Sequence, residues 1–265
     1  METSLKNTGW SKRRSLLAAA GFQLARWSRR AGLDLLFPPE CAGCRAEMAT
    51  AGMPRFCGEC IGRLNSLRGA TCVRCGAAVP GTAARPNCHL CHGKKLLFDE
   101  AIALGEYDGL LRDWLLAMKH GRSESLTLAL AELIWQQCGS RLELLQPDVV
   151  VPVPMHWRRR WAHGTNSAEL LAERLVRHLR APLATGLLRR TRHTAPQFSL
   201  PPSERPANVR GAFAVRSGYH LRGARVLVVD DILTTCSTCS AVARVLKQRG
   251  AGHVAVVVAA RTLRH

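Results

Sequence analysis

The chain has 265 residues, of which 38 are lysine or arginine and 19 are aspartate or glutamate, so its formal net charge is +19. This length is enough for a small module and one α/β domain of about 170 residues. The sequence has no run of ~20 apolar residues, which argues against a membrane-spanning helix, and its charge favours polyanionic partners such as nucleic acids.

The first 35 residues predict a basic amphipathic helix. Its apolar face consists of Leu16, Leu17, Ala20, Leu24 and Trp27. Such a helix suits packing against a neighbouring module, or contact with a membrane surface. The pair Arg13 and Arg14 is similar to a twin-arginine export signal, but Gln23 and Arg26 interrupt the apolar stretch that follows. We therefore expect a cytoplasmic protein, located at the inner face of the membrane if this helix contacts lipid.

Eight cysteines between residues 36 and 95 form four Cys-x-x-Cys pairs. They are Cys41, Cys44, Cys57, Cys60, Cys72, Cys75, Cys88 and Cys91. Twelve residues separate the pairs within each half and eleven separate the halves, so the segment is a duplicated module. Four thiolates bind one tetrahedral Zn²⁺, and eight therefore fill two closed structural sites. Because the segment has few large apolar residues, we expect it to need the metal in order to fold.

The pairing of these cysteines stays open in the sequence. Sequential sites and an interleaved cross-brace both fit the spacing. His89 and His92 lie beside the last pair, and we expect them at the surface because four cysteines already complete each site. Disulfides are the alternative to zinc, but a basic chain without a convincing export signal is expected to keep its thiols reduced.

After residue 96 the pattern changes to alternating strands and helices. Strands are expected at residues 101–104, 149–151 and 226–229, and helices at 110–119, 125–137 and 166–179. This alternation predicts a mostly parallel, wound sheet. Pro152, Val153 and Pro154 leave the second strand as a rigid loop that continues into Arg158 and Arg159. In such folds this edge of the sheet binds ligands, and here pyrophosphate is the natural candidate.

The most informative stretch surrounds Asp230 and Asp231, the two candidate catalytic residues, which follow the buried strand at 226–229. A helix is expected soon after them. Its start carries the hydroxyl-rich run Thr234, Thr235, Cys236, Ser237 and Thr238. Free backbone N–H groups and the helix dipole favour a phosphate there, while the carboxylates suit ribose hydroxyls or a metal ion. The sequence therefore predicts a site that holds a ribose 5-phosphate at both ends.

The segment Val-Leu-Val-Val-Asp-Asp-Ile-Leu-Thr-Thr at 226–235 resembles the signature of type I phosphoribosyltransferases, which bind phosphoribosyl pyrophosphate (PRPP). Those enzymes usually carry glycine where this chain has Cys236. A cysteine crowds the turn if its φ is positive and is accommodated if its φ is negative.

Further motifs narrow the resemblance to the ComF (GntX-like) family. They are Leu-Phe-Pro-Pro-Glu-Cys at 36–41, Val-Pro-Val-Pro at 151–154, Ala-Pro-Gln at 195–197 and Arg-Gly-Ala-Phe at 210–213. The family implies a double zinc ribbon at 36–95 and a type I phosphoribosyltransferase-like α/β domain at 96–265, a parallel sheet flanked by helices. Where its members commonly read Arg-Gly-Phe-Asn-Gln, this chain has His-Gly-Thr-Asn-Ser at 163–167.

The family further implies an accessory role in DNA uptake or the use of external DNA. The protein would bind a PRPP-like ligand and single-stranded DNA. A second hypothesis is an active transferase that moves ribose 5-phosphate from PRPP to a base or amine with Mg²⁺. A third is a zinc-ribbon scaffold that docks onto a DNA-import helicase.

Overall fold

The computed structural model describes residues 38–48, 55–64, 69–81, 84, 86–119, 124–155, 166–192, 194–195 and 200–263. The strands in this part of the chain are β1 Glu100–Glu106, β2 Val149–Pro152, β3 Leu188–Arg190, β4 Phe213–Val215, β5 Arg225–Leu233 and β6 His253–Arg261. The helices are α1 Gly58–Arg63, α2 Gly109–Lys119, α3 Glu124–Leu144, α4 Ser167–Leu175, α5 Arg205–Val209 and α6 Ser237–Gln248. The N-terminal helix predicted over 1–35 lies outside the described residues.

A four-stranded parallel sheet forms the centre of the molecule, in the order β1-β6-β5-β2. Both of its faces are covered. Leu227, Val229 and Val257 belong to one buried cluster, which includes side chains of α2, α3 and α4. Alternate residues such as Val228 point to the other cluster, with α6 and the antiparallel pair β3–β4. Burial on both faces explains why these strands are continuous apolar runs, and it confirms the predicted parallel sheet.

The first cysteine module, residues 41–60, packs against α2. The ring of Phe56 stacks on that of Trp114, with centroids 4.0 Å apart and 15° between the planes. Gly43 lies against the same indole, and a Cβ atom at position 43 would be 2.5 Å from the Trp114 ring. A side chain is therefore excluded at position 43 unless the tryptophan moves.

The second cysteine module, residues 71–91, packs against the edge strand β1 and against α3. The backbone N–H of Ala101 donates to the carbonyl of Val73 at 2.9 Å. From α3, Arg141 donates to the hydroxyl of Thr71 at 3.1 Å. Among the described residues, both modules thus rest on the α/β domain.

Several predicted boundaries shift in the structure. β5 runs to Leu233, beyond the expected end at residue 229, because its pairing with β6 continues through Asp230 to the partners Leu233 and Arg261. α3 extends to Leu144, and α4 ends at Leu175. Each helix among the described residues is too short or too polar to span a lipid bilayer.

Candidate functional site

The eight paired cysteines form two separate four-sulfur clusters. Their order is sequential: Cys41, Cys44, Cys57 and Cys60 make the first, and Cys72, Cys75, Cys88 and Cys91 make the second. The cross-brace alternative is therefore wrong for this chain. His89 and His92 are exposed and belong to neither cluster, as predicted.

The sulfur positions fit zinc. A tetrahedron with Zn–S bonds of about 2.3 Å has edges of about 3.8 Å. In the first cluster Cys41 and Cys60 are 3.8 Å apart and Cys44 and Cys57 are 3.7 Å apart, measured between sulfurs. In the second, the distances are 3.6 Å for Cys72–Cys91, 3.5 Å for Cys75–Cys88 and 3.8 Å for Cys88–Cys91.

Backbone N–H groups favour the thiolate form of Cys41, one of the four cysteines of the first cluster. The N–H groups of Gly43 and Cys57 donate to the Cys41 sulfur at 3.4 and 3.2 Å. Burial alone would raise the pKa of the Cys41 thiol, but backbone hydrogen bonds from Cys44, Cys57 and Gly43 lower it to about 6. A thiol that ionises this readily suits metal binding, which requires the thiolate.

The predicted sugar-phosphate site lies at the carboxyl edge of the sheet, where β2 ends beside Val229 and β5 continues to Leu233. Pro152 is paired with Val229, and the N–H of Val153 donates to the carbonyl of Val229 at 2.9 Å. Asn166, the N-cap residue of α4, donates its side-chain N–H to the carbonyl of Val153 at 3.1 Å. The 152–154 segment is therefore anchored directly beside Asp230.

Asp230 and Asp231 are half-buried at the end of β5. The Asp230 Oδ1 accepts from the N–H of Asp231 at 2.9 Å, and the Asp231 Oδ1 accepts from the N–H of Ile232 at 2.8 Å. On the other side, the Cys239 thiol lies 3.7 Å from the Asp230 Oδ2. These contacts hold both carboxylates near the backbone.

The hydroxyl-rich loop follows at once and ends at the start of α6. Its Thr235 and Ser237 hydroxyl oxygens are 2.8 Å apart. Cys236 is the N-cap residue, with φ +67°, and its side chain is buried. The left-handed conformation that favours glycine is thus present with a cysteine in place, which resolves the alternative left open by the sequence.

The structure places Pro152 and Val153 beside Val229, next to Asp230, and residues 234–238 follow the end of β5 at Leu233. Arg158 and Arg159 lie outside the described residues.

Sequence reasoning missed Arg261, the last residue of β6. It is 1% exposed, and its guanidinium donates to the carbonyls of Cys75 at 3.0 Å and Leu233 at 2.8 Å. It donates also to the carbonyls of Thr234 and Thr262. The only signal in the sequence is an arginine that closes an otherwise apolar strand.

Comparisons with known proteins agree with this geometry. A double zinc ribbon domain matches residues 32–93, and a phosphoribosyl transferase domain matches residues 165–264. DNA utilization protein YhgH of Escherichia coli K12 is 31% identical over 232 residues, which cover 86% of this chain and all of that protein. The chain belongs to the ComF (GntX-like) family.

A second relative carries a different name. Competence protein F of Haemophilus influenzae is 27% identical over 220 residues, covering 82% of this ComF-family chain and 94% of that protein. A solved purine phosphoribosyltransferase from Pyrococcus horikoshii aligns with 17% identity and a TM-score of 0.31, covering 61% of this chain and 87% of that one. That structural similarity is too low to carry an argument. The fold assignment rests on the domain matches and the sheet itself.

Proposed function

We propose that this ComF-family chain binds a PRPP-like sugar phosphate at the carboxyl edge of its sheet. Two observations support this proposal: the 152–154 segment lies beside the strand that carries the acid pair, and a hydroxyl-rich loop follows the end of that strand. Asp230 and Asp231 hold the ribose hydroxyls, and the N–H groups and hydroxyls of residues 234–238 hold the 5-phosphate. Residues 152–154, with Arg158 and Arg159, bind the pyrophosphate. Mg²⁺ accompanies that group, since carboxylate and phosphate oxygens are its preferred ligands.

Calorimetric titration of the zinc-loaded protein with PRPP and Mg²⁺ tests this site. We expect saturable binding that the double variant Asp230→Asn, Asp231→Asn loses. A matched control is Asp113→Asn with Glu173→Gln, which removes two exposed carboxylates from α2 and α4. Wild-type protein that does not bind PRPP, or an Asp230/Asp231 variant that binds as tightly as the control, would contradict the proposal.

A second candidate function is transfer of the phosphoribosyl group, which the match to a phosphoribosyl transferase domain favours. In this reaction the bond from ribose C1 to pyrophosphate breaks while a bond from C1 to a base or amine nitrogen forms. The protein's part is to orient both groups and to stabilise charge. Release of pyrophosphate with one member of a panel of nucleobases and amines, lost in the Asp230/Asp231 variant, would establish the activity. PRPP binding without release would leave a binding domain.

We further propose a cytoplasmic role in the handling of DNA, because relatives are named for DNA utilization and competence. A cleft of about 890 Å³ supports direct contact with single-stranded DNA. It begins at Thr235, Cys236 and Ser237 and runs along α6. Its walls carry four exposed cations, Lys94, Lys95, Arg210 and Arg244, and no carboxylate among the described residues that line it. Leu97 adds partly exposed apolar surface to the cleft.

Salt-dependent anisotropy with a fluorescent oligothymidylate tests the DNA contact. Each cation that binds a phosphate of a single strand adds about 0.7 to the slope of log K against log salt, so Arg210→Ala with Arg244→Ala should lower the slope by about 1.4. The control, Arg177→Ala with Arg180→Ala, removes the same charge from exposed positions in and after the turn that ends α4. Equal slopes for both variants would place the contact elsewhere. Failure of the wild type to bind would favour docking of the zinc ribbons onto an import helicase.

A further inference from the structure

Arg261 joins two parts of the molecule that are far apart in the chain. Its Nε–H donates to the carbonyl of Cys75, a ligand of the second zinc site. Its Nη1 donates to the carbonyls of Leu233 and Thr234, where the hydroxyl-rich loop begins. One buried guanidinium therefore touches both the second cysteine cluster and the start of the loop.

The charge of Arg261 needs a counter-charge. A buried guanidinium is costly unless an anion is near, and backbone carbonyls provide only partial charges. No described residue forms a carboxylate ion pair with Arg261. Four thiolates around one Zn²⁺ carry a net charge of about −2, so the filled second site would supply an anion beside Arg261, which already contacts the carbonyl of Cys75.

We propose that Arg261 is a positioning residue that couples the second zinc site to the sugar-phosphate loop. With zinc bound, Cys72, Cys75, Cys88 and Cys91 would stay thiolates, and their negative charge would hold Arg261 in place. Arg261 in turn fixes the carbonyls of Leu233 and Thr234. These carbonyls lie at the start of the loop, residues 234–238, that is proposed to hold the phosphate. Because coupling between two sites is reciprocal, a ligand bound in the loop must also tighten retention of this zinc. The ligand half of this inference rests on the proposed function, whereas the zinc half does not.

The molecule contains two internal controls. The described contacts of Arg261 reach the second cysteine cluster and none of the first, so zinc in the first cluster should not respond to the ligand. Arg141 also binds the second module, through the Thr71 hydroxyl, but its described contacts do not include the loop. Arg141→Met therefore removes an arginine contact to the same module without touching the proposed connection.

Zinc release into a chromogenic chelator, with and without ribose 5-phosphate, tests the proposal. We expect the ligand to slow release from the second site by about fivefold or more, in line with typical coupling energies, and to leave the first site unchanged. The variant Cys44→Ser shows which part of the zinc-release time course comes from the first site, because Cys44 is an exposed ligand of that site. Arg261→Met should lose the ligand effect and release the second zinc faster than Arg141→Met, which should keep the effect. Arg261→Lys keeps the charge but reaches fewer carbonyls, so it should retain zinc better than Arg261→Met and still lose the ligand effect.

Two outcomes would overturn the proposal. One is an Arg261→Met protein, folded by circular dichroism, that shows the wild-type slowing by ribose 5-phosphate. The other is second-site zinc release in Arg261→Met no faster than in Arg141→Met. The comparison of zinc release between Arg261→Met and Arg141→Met needs no ligand, so it tests the role of Arg261 at the zinc site even if the wild type binds no sugar phosphate. Absence of sugar-phosphate binding in calorimetry would count against the proposed function alone.

Discussion

At the scale of single residues, Cys236 shows the cost of a side chain in a turn made for glycine. Its φ of +67° lies in the left-handed region, where a Cβ atom costs roughly 1–2 kcal/mol. Its thiol is buried, and burial raises the pKa of that thiol. The sulfur thus contributes packing while the backbone is strained, and the two effects oppose each other.

These two effects can be separated with a pair of variants. Cys236→Ala removes the sulfur and keeps the strained Cβ, while Cys236→Gly removes both. We expect the glycine variant to unfold with a free energy about 1 kcal/mol higher than that of the alanine variant in urea titrations of zinc-loaded protein. Equal stability of the two variants would show that the turn carries no strain at this position.

At the scale of elements, a buried ionic group joins α3 to α4. Glu132 of α3 accepts from Arg174 of α4 and lies 3.0 Å from the His178 Nε2. The ring of His178 stacks on Trp135, 4.7 Å between centroids. Burial opposes ionisation, but the hydrogen bonds from His178 and Arg174 outweigh it and lower the pKa of Glu132.

Replacing this carboxylate should destabilise the helix pair. Glu132→Gln leaves Arg174 buried without its partner, and we expect a loss of about 3 kcal/mol at pH 7. The control Glu173→Gln changes an exposed glutamate on α4 and should cost much less. Urea titrations measure both values. A loss at Glu132 equal to that at Glu173 would contradict a stabilising role.

The pH dependence of this effect has a defined sign. A lowered pKa in the folded state stabilises above the unfolded value of about 4.3 and loses that contribution as pH falls through the folded pKa. The difference in stability between wild type and Glu132→Gln should therefore shrink as pH falls below about 4.3. Acid pH also releases zinc from both the wild type and Glu132→Gln. The difference in the free energy of unfolding between these two proteins is therefore the quantity to compare at each pH.

At the scale of the whole molecule, each four-cysteine cluster belongs to its own module, and the two modules pack against different parts of one sheet domain. Each site has its own four ligands, so loss of one should not empty the other. We expect wild-type protein to contain two zinc ions per chain, and Cys44→Ser and Cys88→Ser each to retain one. Metal analysis after gel filtration measures this. Loss of both ions in either variant would show that the modules fold only together.

Parts of this architecture were predictable because they depend on local patterns. Apolar runs of strand length indicated β2 and β5, and the acid pair followed by hydroxyls indicated the site at the edge of the sheet. The prediction that these residues bind a sugar phosphate stays a prediction, as do the domain boundaries. α5 and the β3–β4 pair were not predicted, because they are too short to show a period.

The sequence by itself determined the number of four-cysteine clusters and the parallel sheet, since ligand spacing and strand burial are properties of neighbouring residues. Only the tertiary structure decided the sequential pairing of the cysteines, the sign of φ at Cys236 and the contacts of Arg261. The bond from Arg261 to Cys75 spans 186 positions. An apolar strand pattern shows that its terminal arginine is near the core, but it does not show which carbonyls the folded chain brings within reach.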